Sequence, residues 1–299
     1  MDDIHRRNRA LKNGLSGLAK DKRIPESEKA LILEYIKTLE SRGLNTGRIV
    51  KYLYDLHHIR LMLGVNFKEA TRENIEELVR KINAENFSPW TKADYKGIVK
   101  RFYRWLRTGA LDAGAPYPPE VAWIKTNIKR NEKKEPDVLT EDEAKAMVEA
   151  AVKPRDKAFI AVLYEGGFRI GEILTARLGD LTFDENGARL RVHGKTGGRT
   201  VRLITSAPLL AHWVEEHPLR NNPEAPIWVP LSLNALKSLK PLSYQKARYI
   251  LKKIAKSAGI NKRIYPHLFR HSAATRDARY LSESELKLKY GWVGSSDMA

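Results

Sequence analysis

The sequence has no cysteine and no long apolar run, and both absences exclude classes of protein. Without cysteine, the 299 residues cannot form a disulfide scaffold, a thiol nucleophile or a cysteine-ligated zinc site. No apolar stretch approaches the roughly 18 residues that a membrane-spanning helix needs. Residues 1–7 lack the apolar core of a signal peptide. We therefore expect a cytoplasmic protein without a membrane partner.

Acidic residues are also few relative to basic ones. The chain has 54 Lys and Arg against 36 Asp and Glu, which gives a formal net charge of +18. Hydrophobic residues make up 42% of the sequence and charged residues 30%, which is typical of a folded globular protein. The charge excess favours a polyanionic partner, and nucleic acid fits better than a lipid surface because no strongly amphipathic basic helix ends the chain.

The positions of residues that end helices and form turns predict two folded domains and a connecting segment. We expect a basic N-terminal extension at 1–25, a helical domain at 26–109, a linker at 110–138 and a second domain at 139–299. A chain of this length can bury two separate hydrophobic cores. The linker contains Pro, Gly and many basic residues, among which Lys129 and Arg130 are predicted to contact DNA phosphates.

Apolar residues three and four positions apart predict four helices in the first domain. The helices start near Ser27, after Thr46, at Thr71 and at Ser88, and Pro89 occupies the first turn of the last one.

The second domain starts with a helix capped at Thr140. Between Leu181 and Ile204 the apolar period changes from helical to alternating, with turn residues at 184–187 and 194–198. We therefore predict a mainly α protein with a small antiparallel β-sheet in an α+β second domain.

Basic residues concentrate in one segment of the second domain. Positions 237–263 contain nine Lys or Arg and no acid. Within it, Ser243 can cap a helix that buries Ala247, Leu251 and Ile254 while its basic side chains face outward. A solvated basic face is the simpler interpretation of such a run. The charge of the whole chain favours DNA binding instead, by Lys246, Arg248, Lys252, Lys253 and Lys256.

Two motifs resemble known sites without matching them. Gly194-Lys195-Thr196 resembles the end of a phosphate-binding loop, but Arg189 stands where that loop needs its first glycine and no helix follows. His267 and His271 are four residues apart, yet the glutamate of a zinc-binding helix is missing. We therefore predict no metal site.

Five further residues carry the strongest functional signal because of their order along the chain. Each has an ordinary structural explanation when taken alone. Arg169 follows Gly167 in a Gly-x-Arg-Ile-x-Glu context, and Lys195 lies at the tip of the predicted hairpin. Downstream come the His-x-x-Arg helix and a late Gly-Trp pair, which supply the remaining three residues His267, Arg270 and Trp292.

In this order and spacing, the residues resemble the motifs of the tyrosine recombinases, the family of phage-type integrases and Xer-like proteins. The Gly-Trp pair is most similar to archaeal and archaeal-virus members, which implies a role in viral genome integration. The resemblance runs from about Glu26 to Ala299 and implies a helical, SAM-like core-binding domain followed by a catalytic domain of the DNA breaking-rejoining type.

The resemblance implies a phosphate-centred site made of the five residues. Arg169 and Arg270 would hold the non-bridging oxygens, because a guanidinium matches two phosphate oxygens at once. Lys195 would protonate the departing 5′ oxygen, and His267 and Trp292 would complete the pocket. Since the bond energy is kept in a 3′-phosphotyrosine, no cofactor is implied.

One element of the family pattern is missing from this sequence. The nucleophilic tyrosine of the family lies beyond the Gly-Trp position, and the chain stops at Ala299 before it, while Tyr280 and Tyr290 do not match the motif. We expect this chain to be truncated and to bind duplex DNA without cutting it, and the full-length protein to act as a homotetramer. The alternatives are a non-catalytic DNA-binding regulator on a recombinase fold, a type IB-like topoisomerase and, least favoured, an RNA-binding protein.

Overall fold

The computed structural model describes residues 4–112, 114–128, 138–194, 197–232 and 239–292. The chain divides into two compact units, which we call the N-terminal unit, Arg6–Lys133, and the C-terminal unit, Lys134–Ala299 together with Met1–His5. The fold is mainly α-helical with one small sheet, as predicted. No helix among the described residues has the length and apolar character required to cross a membrane.

The N-terminal unit is a helical bundle built around α3. Its helices are α1 Arg7–Lys20, α2 Glu26–Ser41, α3 Thr46–Leu63, α4 Arg72–Ala84, α5 Pro89–Thr108 and α6 Pro119–Ala122. Helix α3 packs against α1, α2, α4 and α5. Thr71 and Ser88 cap α4 and α5 through their side chains, which confirms these two predicted helix starts.

The ends of the N-terminal unit differ from the sequence prediction. Residues 1–25 were expected to be an extension, yet they contain α1, whose Leu18 is buried in the core of the unit. Its few apolar residues are interspersed with basic ones, so the sequence shows no clear helical apolar period. Part of the predicted linker also folds with the unit, because Val121 and Ile124 are buried in the same core.

The C-terminal unit combines helices with a three-stranded sheet. It contains α7 Glu141–Ala150, α8 Pro154–Gly166, α9 Ile170–Thr175, β1 Leu181–Asp184, β2 Gly187–Gly194, β3 Gly197–Leu203, α10 Ala207–Glu215, α11 Tyr244–Ser257, α12 Pro266–Asp277 and α13 Glu283–Tyr290. Helix α8 lies at the centre and packs against α7, α10 and α12.

The sheet is antiparallel with strand order β1-β2-β3. Leu190 pairs with Val201, Ala188 pairs with Leu203, and these side chains are buried as the alternating pattern predicts. Gly194 pairs with Gly197, so the last described residues of the hairpin flank positions 195 and 196.

Two residues from the start of the chain complete the C-terminal unit. Ile4 is buried in its core, and the Ile4 carbonyl accepts a hydrogen bond from the backbone N–H of Tyr244 at 3.0 Å. The rings of His5 and Tyr244 lie 5.0 Å apart. The C-terminal unit is therefore discontinuous in sequence.

Candidate active site

The site begins where α9 starts. Arg169 is the N-cap residue of α9, and its backbone N–H donates to Glu172 Oε2 at 2.9 Å. The Arg169 guanidinium donates to Glu172 Oε1 at 3.1 Å. Glu172 thus fixes both the backbone at the helix start and the guanidinium of Arg169.

A second arginine binds the same carboxylate from strand β3. Arg199 Nη1 and Nη2 donate to Glu172 Oε1 and Oε2 at 2.8 and 2.7 Å. The Glu172 side chain is 2% exposed and that of Arg199 is 9% exposed, so the pair is buried. Two parallel bonds of this kind fix the relative orientation of β3 and α9.

The carboxylate between the two arginines stays ionised. Burial alone would raise the pKa of Glu172, but the hydrogen bonds and charge of Arg199, together with the bonds from Arg169, outweigh burial and hold the pKa below its usual range. Glu172 therefore serves as a negatively charged anchor at neutral pH.

Arg270 approaches from α12 and is buried. Its Nη1 donates to the Gly167 carbonyl at 2.9 Å and its Nη2 donates to the Tyr290 carbonyl at 2.7 Å. Burial, and then the neighbouring charge of Arg169, lowers the pKa of Arg270 to about 10. The guanidinium is still charged at neutral pH, in a place where water competes little for it.

His267 lies one turn before Arg270 on the same helix and is exposed. The protein around one side of the ring removes water, and the charges of His271, Arg270 and Arg169 add to this effect, so the pKa of His267 is lowered. The neutral imidazole is favoured near pH 7 and can donate or accept one proton.

Trp292 follows the end of α13. Its indole stacks on the Tyr290 ring with centroids 4.9 Å apart and planes at 21°. The carbonyl of the intervening Gly291 accepts a hydrogen bond from Arg169 Nη2 at 3.2 Å. The structure therefore brings Arg169, Arg270, His267 and Trp292 into one region, and Lys195 lies outside the described residues.

Arg199 also belongs to this cluster, although no sequence motif contains it. The alternating pattern carried a usable signal, because Arg199 is two residues before Val201 and so shares the inward side of β3. With Arg169, Arg199 and Arg270 against the single Glu172, the cluster has two excess positive charges. Such a cluster can bind an anion with planar or tetrahedral oxygens.

The basic helix lies in α11, which Ser243 caps by accepting from the Lys246 N–H at 3.3 Å. Its exposed cations are Lys246, Lys252, Lys253 and Lys256. Arg248 was predicted to face outward with them, but it is half-buried and its Nε has no hydrogen-bond partner among the described residues. Arg248 lies three residues before buried Leu251 and so stands at the edge of the buried face of α11. The predicted phosphate contacts Lys129 and Arg130 lie outside the described residues.

Two tyrosines near the cluster are placed very differently. Tyr290 is fully buried and its hydroxyl donates to Asp277 Oδ2 at 2.8 Å. Burial and this bond to a carboxylate raise the pKa of Tyr290, which opposes formation of the phenolate. Tyr280 is 80% exposed, just beyond α12.

Among the described residues, the two histidines of α12 have no third side chain beside them that could complete a metal site. The rings of His267 and His271 lie 6.1 Å apart. Within the part of the chain that the structure describes, no group of three His, Cys, Asp or Glu residues is close enough to share a metal.

Comparison with known sequences identifies relatives along most of the chain. The model of the phage integrase family matches residues 137–284. Tyrosine recombinase XerD of Bifidobacterium longum is 30% identical over 252 residues, which cover 78% of this chain and 79% of the relative. Tyrosine recombinase XerA of Pyrococcus horikoshii is 32% identical over 246 residues, covering 82% of this chain and 78% of the relative.

Solved structures share the fold at low sequence identity. A lambda integrase dimer bound to a COC′ core site aligns with a TM-score of 0.69 and 17% identity over 90% of this chain and 75% of that one. The XerH site-specific recombinase in a pre-cleavage complex with its difH substrate aligns with a TM-score of 0.64 and 17% identity, covering 98% of this chain and 90% of that one.

Proposed function

The chain belongs to the tyrosine recombinase family, and from this premise we propose that it is a site-specific DNA recombinase or integrase. The observation that carries the proposal is the cluster of Arg169, Arg199 and Arg270 around the single carboxylate of Glu172. Its excess positive charge suits the scissile phosphate of a DNA strand.

In the proposed reaction, Arg169 and Arg270 hold the two non-bridging oxygens of the scissile phosphate. A tyrosine hydroxyl attacks phosphorus and gives its proton to the neutral imidazole of His267, the new O–P bond forms, and the bond from phosphorus to the 5′ oxygen breaks. Negative charge grows on the non-bridging oxygens during this step, so cations already in place stabilise the transition state more than the ground state. The product is a 3′-phosphotyrosyl link and a free 5′ hydroxyl, and no metal or nucleotide takes part.

Three further residues serve this step in the proposal. Lys195 gives its proton to the departing 5′ oxygen, which turns a poor leaving group into a good one. His267, whose pKa is lowered, is suited to hydrogen bonding with the phosphate or to carrying a proton. The Trp292 indole donates one hydrogen bond and covers the stacked ring of Tyr290.

The attacking oxygen is not that of Tyr290 in our proposal, because its hydroxyl is buried and bonded to Asp277. We infer that the 299-residue chain binds duplex DNA and positions a phosphate without forming a covalent adduct through Tyr290. The same observation favours a second candidate function, a non-catalytic DNA-binding regulator on a recombinase fold.

Both units contact duplex DNA in this proposal. The exposed lysines of α11 lie against the major groove, and Lys129 and Arg130 contact phosphates from the connecting segment. Strand exchange between two sites requires four protomers, so we propose a homotetramer on DNA. A lambda integrase tetramer bound to a Holliday junction shares this fold, with a TM-score of 0.64.

Salt-dependent binding tests the DNA contacts. We expect the logarithm of the duplex affinity to fall linearly with the logarithm of salt concentration, with a slope of about −0.9 for each phosphate neutralised. Lys252→Ala and Lys253→Ala should each reduce that slope by about one. Lys145→Ala on α7 is the matched control, because it removes the same charge beside the acids of the first turn. A wild-type affinity that does not respond to salt would overturn the DNA proposal.

A nicked suicide substrate tests the chemistry. The wild-type chain, Tyr290→Phe and Arg270→Ala are each incubated with the substrate and examined for a covalent protein–DNA band. We expect the wild-type chain to bind the substrate tightly without a covalent band, and Arg270→Ala to bind it more weakly. A band whose DNA-linked peptide contains Tyr290 as the modified residue would show that Tyr290 is the nucleophile after all. Relaxation of supercoiled DNA without site preference would favour the type IB-like topoisomerase.

A further inference from the structure

The three arginines of the cluster share one feature that the proposed reaction does not use. Each donates to a different carbonyl oxygen of one short segment at the end of α13. Arg199 Nε donates to Lys289 O at 2.7 Å, Arg270 Nη2 to Tyr290 O at 2.7 Å, and Arg169 Nη2 to Gly291 O at 3.2 Å. We call these three consecutive carbonyl oxygens the carbonyl frame.

The carbonyl frame has a simple physical origin. The last carbonyls of a helix lack partners within that helix and carry the negative end of its dipole. Helix α13 ends at Tyr290, and Gly291 takes a left-handed conformation with φ of 59°. Three guanidinium groups therefore donate to carbonyl oxygens that have no acceptor role within the helix. Each bond also fixes the orientation of the guanidinium group that donates it.

The frame is itself held by the side chain in its middle. Tyr290 is 0% exposed, and its hydroxyl donates to Asp277 at the end of α12, the helix that carries Arg270. The ring lies between the Arg270 guanidinium, 5.1 Å from its centroid, and the stacked indole of Trp292. Lys289 Nζ also pairs with Asp277, at 2.6 Å.

We propose that Tyr290 is a positioning residue, which with Asp277 locks the carbonyl frame and thereby aims the guanidinium groups of Arg169, Arg199 and Arg270 at the scissile phosphate. The inference deepens the proposed function and rests on it for the identity of the anion. The direct evidence is within one unit: a buried hydroxyl, a buried carboxylate and three carbonyls in a row that each accept from an arginine.

Tyr290→Phe in the 299-residue chain tests the proposal, because it removes the hydroxyl and keeps the ring. Tyr280→Phe makes the same change at an exposed position and is the matched control. The arginine Nε–H signals are followed by NMR, without ligand and during titration with inorganic phosphate. In Tyr290→Phe we expect shifted or broadened Arg270 and Arg199 signals and phosphate binding weakened about fivefold to tenfold, the size of the net contribution of one ordinary hydrogen bond. Asp277→Asn tests the same bond from the acceptor side.

The outcomes separate the two proposals. One outcome would overturn the frame and leave the recombinase function standing. In it, wild type binds phosphate and DNA, the arginine signals of Tyr290→Phe do not move, and its phosphate affinity stays within about twofold of wild type. Altered arginine signals in Tyr290→Phe, in a protein whose wild type binds no duplex DNA, would support the frame and refute the function. Tyr280→Phe should keep the wild-type arginine and backbone signals. Backbone amide signals that change throughout the protein in Tyr290→Phe and Asp277→Asn would show a general loss of structure and would count against a positioning role.

Discussion

At the scale of single residues, Glu172 is the group on which the site depends most. Among the described residues, it is the one carboxylate that accepts hydrogen bonds from both Arg169 and Arg199. We predict that Glu172→Gln lowers the free energy of unfolding by about 2 kcal/mol at pH 7, because the amide loses charge-assisted bonds to buried Arg199. Urea denaturation measures this difference.

The same substitution has a defined pH dependence. The pKa of Glu172 is lowered in the folded protein, so its contribution is fully present above the ordinary carboxyl pKa near 4.5 and is lost as the pH falls through the lower folded value. The gap between wild type and Glu172→Gln should therefore close below about pH 4.5. Glu283→Gln, which breaks an exposed pair with Lys287, is the control and should stay within about 0.5 kcal/mol throughout. A gap that persists in acid would contradict the assignment.

The individual residues show how far the sequence could predict the site. Arg169, His267, Arg270 and Trp292 stand in recognisable motifs, and the structure brings them together. Arg199 and Tyr290 were missed for a physical reason: their roles depend on backbone carbonyls and a carboxylate contributed by distant segments. A motif records side-chain identity near one position, whereas Arg199 donates to the main-chain carbonyl of Lys289, which any residue could supply, and Tyr290 donates to Asp277 on another helix.

At the scale of elements, the end of α8 leaves no room for a side chain at Gly167. Gly167 takes a left-handed φ of 57°, and a Cβ there would lie 2.5 Å from the Tyr290 ring. Its carbonyl also accepts from Arg270. We predict that Gly167→Ala destabilises the protein by about 3 kcal/mol, from backbone strain together with the clash. Thermal or urea unfolding provides the measurement.

Gly259 supplies the comparison for that substitution. It has a φ of 73° just after α11, in the same unit, and nothing lies within 4 Å of a Cβ built there. Gly259→Ala should therefore cost only the backbone strain, about 1 kcal/mol. Equal losses for the two variants would mean that the contact with Tyr290 contributes nothing.

Helices with strong end signals were predicted well, and short ones were not. Thr71, Ser88 and Thr140 cap their helices as expected, because a cap is a local interaction within four residues. Helix α6 has only four residues in a proline-rich stretch, so neither period nor cap could reveal it. It is stabilised by burying Val121 in a core assembled from other helices.

At the scale of the whole molecule, the two units have separate hydrophobic cores. Ile98 belongs to the core of the N-terminal unit and Leu163 to that of the C-terminal unit, and both are 0% exposed. We predict two calorimetric transitions. Ile98→Ala should lower the midpoint temperature of one transition and Leu163→Ala that of the other. Each substitution should reduce the free energy of unfolding of its unit by about 2 to 5 kcal/mol. A single transition that both variants shift equally would show that the units unfold together.

The discontinuity of the C-terminal unit has a consequence for synthesis on the ribosome. Ile4 is made before its partner, the backbone of Tyr244, which follows some 240 residues later in the chain. The N-terminal unit can fold while translation continues. The hydrophobic Ile4, in contrast, has no core to pack into until α11 has left the ribosome. Ile4 can thus join the core of the C-terminal unit only after α11 has been made, so the segment that is synthesised before the N-terminal unit is incorporated after it.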